Sequence, residues 1–140
     1  CFMTTTAEGR CLCGQYHDQF DREQVVSAHH CHCKDCQKMT GSGKATIVMV
    51  PTGNLQTTGE LKTYTVTGTD GSHVTRGFCP TCGSQLISYV EEMPELRFIK
   101  AGSMEDSSWV EVDSSFWGES AESWSPADAE HPVFPNNPVM

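Results

Sequence analysis

Beyond Lys100 the chain contains no lysine or arginine. All nine basic residues lie at or before that position, whereas eight of the eighteen acids follow it. The first hundred residues are close to neutral, and the last forty carry most of the net charge of -9. Such a chain lacks the basic surface that phosphate contacts require, which argues against DNA or RNA as a partner. It is equally unsuited to an anionic membrane surface. The acidic C-terminal part reads as a solvated face rather than an interaction arm.

Long apolar runs are missing too. The best, Ile47-Val48-Met49-Val50, stops at Pro51, far short of the roughly 20 residues of a membrane-spanning helix. Mean hydropathy is -0.39. The first residues have neither the basic start nor the apolar middle of a signal peptide. Cys1-Phe2 ahead of Met3 reads as a remnant, with Met3 the expected native start. A phosphate loop is also absent, because Thr40-Gly41-Ser42-Gly43-Lys44 lacks the full spacing and has no Ser or Thr after Lys44. These absences leave a single cytoplasmic domain acting on a small molecule or a protein.

Cysteine, by contrast, is plentiful. Eight stand at positions 1, 11, 13, 31, 33, 36, 79 and 82. A reducing compartment disfavours a disulfide framework, and the Cys-x-Cys pairs are too close to bridge comfortably. Short Cys-x-Cys and Cys-x-x-Cys loops instead suit tetrahedral zinc, with each sulfur about 2.3 Å from one ion. Cys79-Pro80-Thr81-Cys82-Gly83 is a zinc-knuckle turn, in which Gly83 allows the positive backbone angle. A knuckle supplies two ligands. Cys11 and Cys13, followed by Gly14, are the natural complement, and a closed four-cysteine site is structural.

Cys31, Cys33 and Cys36 remain as a group of three. Three protein ligands and an open position describe a catalytic zinc. Other readings stay open. His30, His32 or Cys1 can close the site as a fourth ligand, or Cys33 and Cys36 can form a redox pair. His32 lies between two proposed ligands, and a role supporting them suits it better. Zinc on three thiolates is a weak Lewis acid and a soft site. Its expected substrate is a thiol or thioether, held as a nucleophile, rather than an ester or peptide. Lys34, Lys38 and Lys44 are the basic residues local to this group. They can hold substrate carboxylates or simply offset thiolate charge. Thr40 to Lys44 reads as a turn whose amides can alternatively cradle an anion, with Ser42 among the candidate substrate contacts. No general acid or base stands out, although Ser42, His30 and Lys38 are near in sequence.

The remaining pattern predicts an all-β protein with at most a short helical turn, at Asp35–Met39. Strands are expected at Gln15–Phe20, Gln24–Ala28, Ala45–Val50, Leu61–Thr67, His73–Phe78, Gln85–Val90 and Leu96–Lys100, with a further short one at Val110–Val112. Asp70-Gly71 marks a hairpin turn. Residues 1–8 read as an N-terminal extension, 9–125 as the zinc-binding domain and 126–140, with four prolines, as an irregular tail.

Five motifs occur in order: Gly9-Arg10-Cys11-Leu12-Cys13-Gly14, Cys31-His32-Cys33-Lys34-Asp35-Cys36, Gly41-Ser42-Gly43, Phe78-Cys79-Pro80-Thr81-Cys82-Gly83 and Lys100-Ala101-Gly102-Ser103-Met104-Glu105-Asp106. Together they resemble the glutathione-dependent formaldehyde-activating enzyme family, which also includes centromere protein V. The resemblance implies a β-tent of antiparallel sheets with two zinc ions per chain. It implies a structural zinc on Cys11, Cys13, Cys79 and Cys82, and an active-site zinc on Cys31, Cys33 and Cys36. The implied activity is that of a carbon–sulfur lyase, S-(hydroxymethyl)glutathione synthase, which joins glutathione to formaldehyde. Where many members carry Arg after the third cysteine of the second motif, this chain has Gln37. The rival expectation is a non-enzymatic zinc-stabilised scaffold, docking a protein through Phe116, Trp117, Trp124 and Phe134. Those aromatics equally suit a cover over the sheet.

Overall fold

The computed structural model describes residues 5–68 and 70–137. Cys1, the proposed remnant and closing ligand, lies outside the described residues. Among the described residues, ten strands form two sheets. The smaller joins β1 (Thr6–Arg10), β2 (His17–Asp21) and β5 (Gln56–Thr58). The larger has the order β10-β3-β4-β9-β8-β7-β6. Its strands are β3 (Ser27–Cys31), β4 (Ala45–Pro51), β6 (Lys62–Thr67), β7 (His73–Phe78), β8 (Gln85–Val90), β9 (Leu96–Lys100) and β10 (Ser114–Phe116).

Strand periodicity decides what each face of the large sheet does. Successive side chains point to opposite faces. In β4, Val48 and Val50 face one way and Ile47 and Met49 the other; in β9, Ile99 separates Phe98 from Lys100. The first face, with Ala28, Val48, Val50, Ile87 and Ile99, meets Ala7 and Phe20 of the small sheet in one core. Each such Val or Ile contributes about 1.5–3 kcal/mol of apolar burial. The second face carries Cys31, Ile47, Met49 and Phe98 and, with Cys36 and Phe116, forms a separate cluster. A one-residue slip in β4 or β9 would exchange the two faces, so core burial also sets what faces the site.

Several local features differ from the sequence reading, among them β1 and β5, where it placed no strand. The expected strand at Val110–Val112 does not form. Asp113 instead ties its backbone N–H to the Ala28 carbonyl at 2.8 Å, and its carboxylate accepts the Ala28 N–H at 2.9 Å. Pairing therefore starts at Ser114, and β10 runs parallel to β3 in otherwise antiparallel sheets. Ahead of β3, Arg22–Gln24 form a 3-10 turn capped by Asp21, so that strand begins at Ser27 rather than Gln24. Residues 126–137 form no regular strand or helix and are docked on β10. Ser115 N–H donates to the Pro132 carbonyl at 3.0 Å, Phe134 N–H donates to the Ser115 carbonyl at 2.9 Å, and Ser115 Oγ lies 2.7 Å from His131 Nε2.

Alternation in β2 also puts a carboxyl group inside. Asp18 is buried beside Tyr16, whose hydroxyl donates to its Oδ2 at 2.9 Å, while Oδ1 has no partner. Burial pushes the Asp18 carboxyl up and the Tyr16 phenol up. A raised carboxyl favours folding fully below the ordinary aspartate value near 3.9, and that contribution is lost as pH rises through the raised value. Asp18→Asn should therefore gain stability relative to the parent as pH is raised from 4 to 8. Parallel thermal melts across that range check this; a constant difference would refute it.

Candidate metal centres

Two turns build the first cysteine group. Cys11 ends the segment after β1, and Cys79 follows β7. In both turns the glycine after the last cysteine has positive φ, 85° at Gly14 and 78° at Gly83. Those glycines send their N–H groups back to the Cys11 and Cys79 carbonyls at 3.1 and 2.9 Å, closing each knuckle. Leu12 N–H donates to Ser84 Oγ at 3.0 Å, which links the two turns across 72 residues.

The four sulfurs of Cys11, Cys13, Cys79 and Cys82 all lie within 4.8 Å of one another. Two of the separations are 3.6 Å (Cys11–Cys13) and 3.7 Å (Cys13–Cys79). A tetrahedron with 2.3 Å metal–sulfur bonds has edges of about 3.8 Å, so the donor set fits such an ion. Donors already face the thiolates: Gln15 Nε2 at 3.1 Å and the Thr81 and Cys82 N–H groups at 3.4 Å reach Cys79 Sγ. The Ser84 hydroxyl, followed by backbone N–H donors, draws the Cys82 thiol down to about 5.

The second group is local. Cys31 ends β3, Cys33 is the N-cap of α1 (Lys34–Thr40), the one α-helix among the described residues, and Cys36 lies in its first turn. The helix is one residue longer at each end than expected. Cys33 Sγ accepts the Cys36 N–H at 3.2 Å, so the same atom caps the helix and faces the group. The three sulfurs lie within 4.8 Å of one another. Among the described residues no fourth His, Cys, Asp or Glu donor joins them. His30 Nδ1 is instead 2.8 Å from Thr46 Oγ1. His32 is fully buried, and neither ring nitrogen has a hydrogen-bond partner. His32→Leu should accordingly keep the metal content of the parent and cost no more than about 1–2 kcal/mol, since no hydrogen bond is lost. Loss of one metal equivalent in this variant would make His32 a ligand.

This group opens on a cleft of about 520 Å³. Apolar side chains of the second sheet face, Ile47, Met49, Val74, Val90 and Phe98, line it with Phe116 and Trp117. Two buried cations share the cleft, and both lie far from the cysteines in sequence. Arg76 Nη2 donates to Cys36 Sγ at 3.8 Å, and Lys100 Nζ donates to Ser88 Oγ at 3.1 Å. Hydrogen bonds from Cys31 and Cys33, then the Lys100 and Arg76 charges, hold the Cys36 thiol far below its ordinary value. Burial pushes the Lys100 ammonium down, against the pull of the thiolates. Arg76 lies in none of the five motifs, and Lys100 opens the fifth without any spacing that ties it to the cysteines. The usable signal was their parity: each is a charged residue at an inward position of a strand.

The lysines near the cysteines in sequence are placed differently. Lys34 lines the cleft, but its ammonium pairs with Glu122. Lys44 lines a second cleft, of about 770 Å³, with Arg10 and Ser84. Lys38 and Ser42 are exposed and line neither cleft. In the Thr40–Lys44 turn, Gly41 N–H caps α1 on the Gln37 carbonyl, and Ser42 N–H donates to Thr40 Oγ1 at 3.2 Å. Those two amides are therefore already engaged. Gln37 donates to the His32 and Ser120 carbonyls at 2.9 and 3.0 Å, which pins the ligand loop to the C-terminal segment.

Residues 6–120 match the model of the family described as glutathione-dependent formaldehyde-activating enzyme. The chain belongs to that family. No curated protein matches it. Among solved structures, it is similar to a Rhodobacter sphaeroides protein at 21% identity, covering 70% of this chain and 87% of that one, with a TM-score of 0.55. At that identity the likeness concerns the fold. Both cysteine groups lie within the matched region, and each can hold a metal ion. No helix among the described residues is long and apolar enough to cross a membrane.

Proposed function

We propose that the protein is a zinc-dependent carbon–sulfur lyase or thiol-adduct enzyme, in which a small thiol such as glutathione adds to, or leaves, a small electrophile such as formaldehyde. One observation carries this reading. Three sulfurs gather at a cleft without a fourth protein donor among the described residues, whereas the other set has all four of its sulfurs and meets the second cleft through Cys11 alone. In this reading Cys11, Cys13, Cys79 and Cys82 hold a structural zinc, and Cys31, Cys33 and Cys36 hold the active-site zinc. When bound there, zinc supplies a soft Lewis acid that favours the thiolate form of an incoming thiol.

The chain's own residues supply the rest. The apolar wall of Phe98, Phe116 and Trp117 excludes water from the reacting carbon. Confinement in the cleft converts a bimolecular addition into a positioned one. The thiol sulfur bonds to the carbonyl carbon, the C=O π pair moves to oxygen, the sulfur's proton leaves and the oxygen gains one. The lyase direction reverses each change. The cleft is far larger than formaldehyde, so the thiol partner accounts for most of its volume. A reducing compartment such as the cytoplasm suits seven free thiols in the described residues.

The test is two-dimensional exchange NMR on glutathione and formaldehyde, with and without the metal-loaded protein. Faster exchange between free and S-hydroxymethyl glutathione is expected. Exchange at the uncatalysed rate, with both metal sites filled, would remove the enzymatic reading.

A further inference from the structure

Arg76 and Lys100 are both over nine-tenths buried, and neither forms an ion pair with a carboxylate among the described residues. Uncompensated buried cations are costly unless an anion is present. The cysteine group supplies some of that charge, but not enough. Three thiolates around a divalent ion leave one negative charge, which Arg76 alone balances through its contact with Cys36. Lys100 is then the surplus cation, with one hydroxyl partner on Ser88.

The acids on the same cleft do not fill this role. Asp35, Asp70 and Glu92 are exposed. Asp70 is engaged by Ser72 and Glu92 by His73. Strand register holds the buried group together: Arg76 of β7 faces Ser88 of β8, and Ser88 receives Lys100 of β9.

We propose that Arg76, Ser88 and Lys100 form a subsite for an anionic oxygen of the substrate, next to the reacting sulfur. This rests on the thiol-adduct reading above and specifies its second substrate. The oxygen is either a carboxylate on the electrophile, as in a small 2-oxo acid, or the alkoxide that forms when sulfur adds to the carbonyl carbon. Arg and Lys donors suit both, as charge-assisted bonds to oxygen. In either case the C=O π pair ends on an oxygen, which takes a proton from solvent on release.

The experiment compares binding of mercaptoacetate and cysteamine by calorimetry in the metal-loaded parent, Lys100→Met, Lys100→Arg and Arg76→Met. Turnover of formaldehyde and of glyoxylate is measured alongside, and metal content is checked in each variant. A charged hydrogen bond is worth about tenfold or more in affinity. Mercaptoacetate carries its carboxylate on the carbon bonded to sulfur, as the adduct of a thiol with glyoxylate does. The carboxylate source therefore predicts at least that preference for mercaptoacetate in the parent, lost in Lys100→Met and kept in Lys100→Arg, with a loss of turnover in Lys100→Met confined to glyoxylate. The alkoxide source predicts equal thiol binding but at least a tenfold loss of kcat for both aldehydes in Lys100→Met, rescued by arginine. Equal thiol binding with unchanged kcat in metal-replete Lys100→Met overturns the subsite. If neither thiol binds the parent, the thiol-adduct reading itself has failed.

Discussion

Cys79→Ser is expected to leave a protein without its four-sulfur metal and without a cooperative melt near the parental temperature. Cys79 is fully buried, and its sulfur accepts three N–H donors besides facing Cys13. A serine hydroxyl does not ionise at neutral pH, so the site would lose a quarter of its anionic donors. The apolar cluster around it is small: Cys11, Tyr16, Cys79 and Leu86. With little hydrocarbon to hold this end of the molecule, a metal held there would be the main link between residues 11–13 and 79–82. Structural zinc contributes roughly 10–16 kcal/mol in small metal-folded peptides. Losing even half of that equals a typical domain's whole stability of about 5–15 kcal/mol. Circular dichroism melts with metal analysis decide the matter. A parental melting temperature with one metal equivalent missing would show that the apolar cluster holds this end unaided.

Cys36→Ser should behave in the opposite way: folded, one metal equivalent short, and slower in thiol-adduct exchange by about a thousandfold or more, the scale of a lost metal-activated nucleophile. The contrast follows from chain connectivity. Cys31, Cys33 and Cys36 lie within six residues, so a metal there closes only a short local loop. The four-sulfur set instead closes a loop of nearly 70 residues, and the entropy removed from the unfolded chain grows with loop length. The helix also keeps its Cys33 cap and its Gly41 end in the variant. Metal analysis, a thermal melt and the exchange measurement are made on one preparation. Unchanged exchange would move the chemistry elsewhere; unfolding would make the three-cysteine group structural.

Much of the fold was legible because its signals are short-range. Alternation marks β2 and β6, an apolar run stopped by Pro51 marks β4, Asp70-Gly71 marks the β6–β7 turn, and Cys-x-Cys and Cys-x-x-Cys spacings mark the cysteine turns. The boundary errors arose where a distant partner intervened. Val112 was given to a strand that in fact starts at Ser114, because Ala28 holds Asp113 by both its backbone and its side chain. The docking of Phe134 on Ser115 had no local signal either. In the site, nearness in the chain points to Lys34, Lys38 and Lys44. The cations that share the cleft with Cys36 are 40 and 64 positions away.

By itself, then, the amino-acid order determined which sulfurs belong to one turn, since ligand spacing within a knuckle is set by a few backbone angles. It also determined that strands dominate, since period-two patterning is local. Which turn joins which, which sheet face becomes core and which becomes cleft, and which cations meet the three sulfurs were decided only by tertiary structure. The reason is register: pairing β4, β9, β8 and β7 in one alignment brings Ile47, Lys100, Ser88 and Arg76 to a common face, and no local pattern in the chain encodes that alignment.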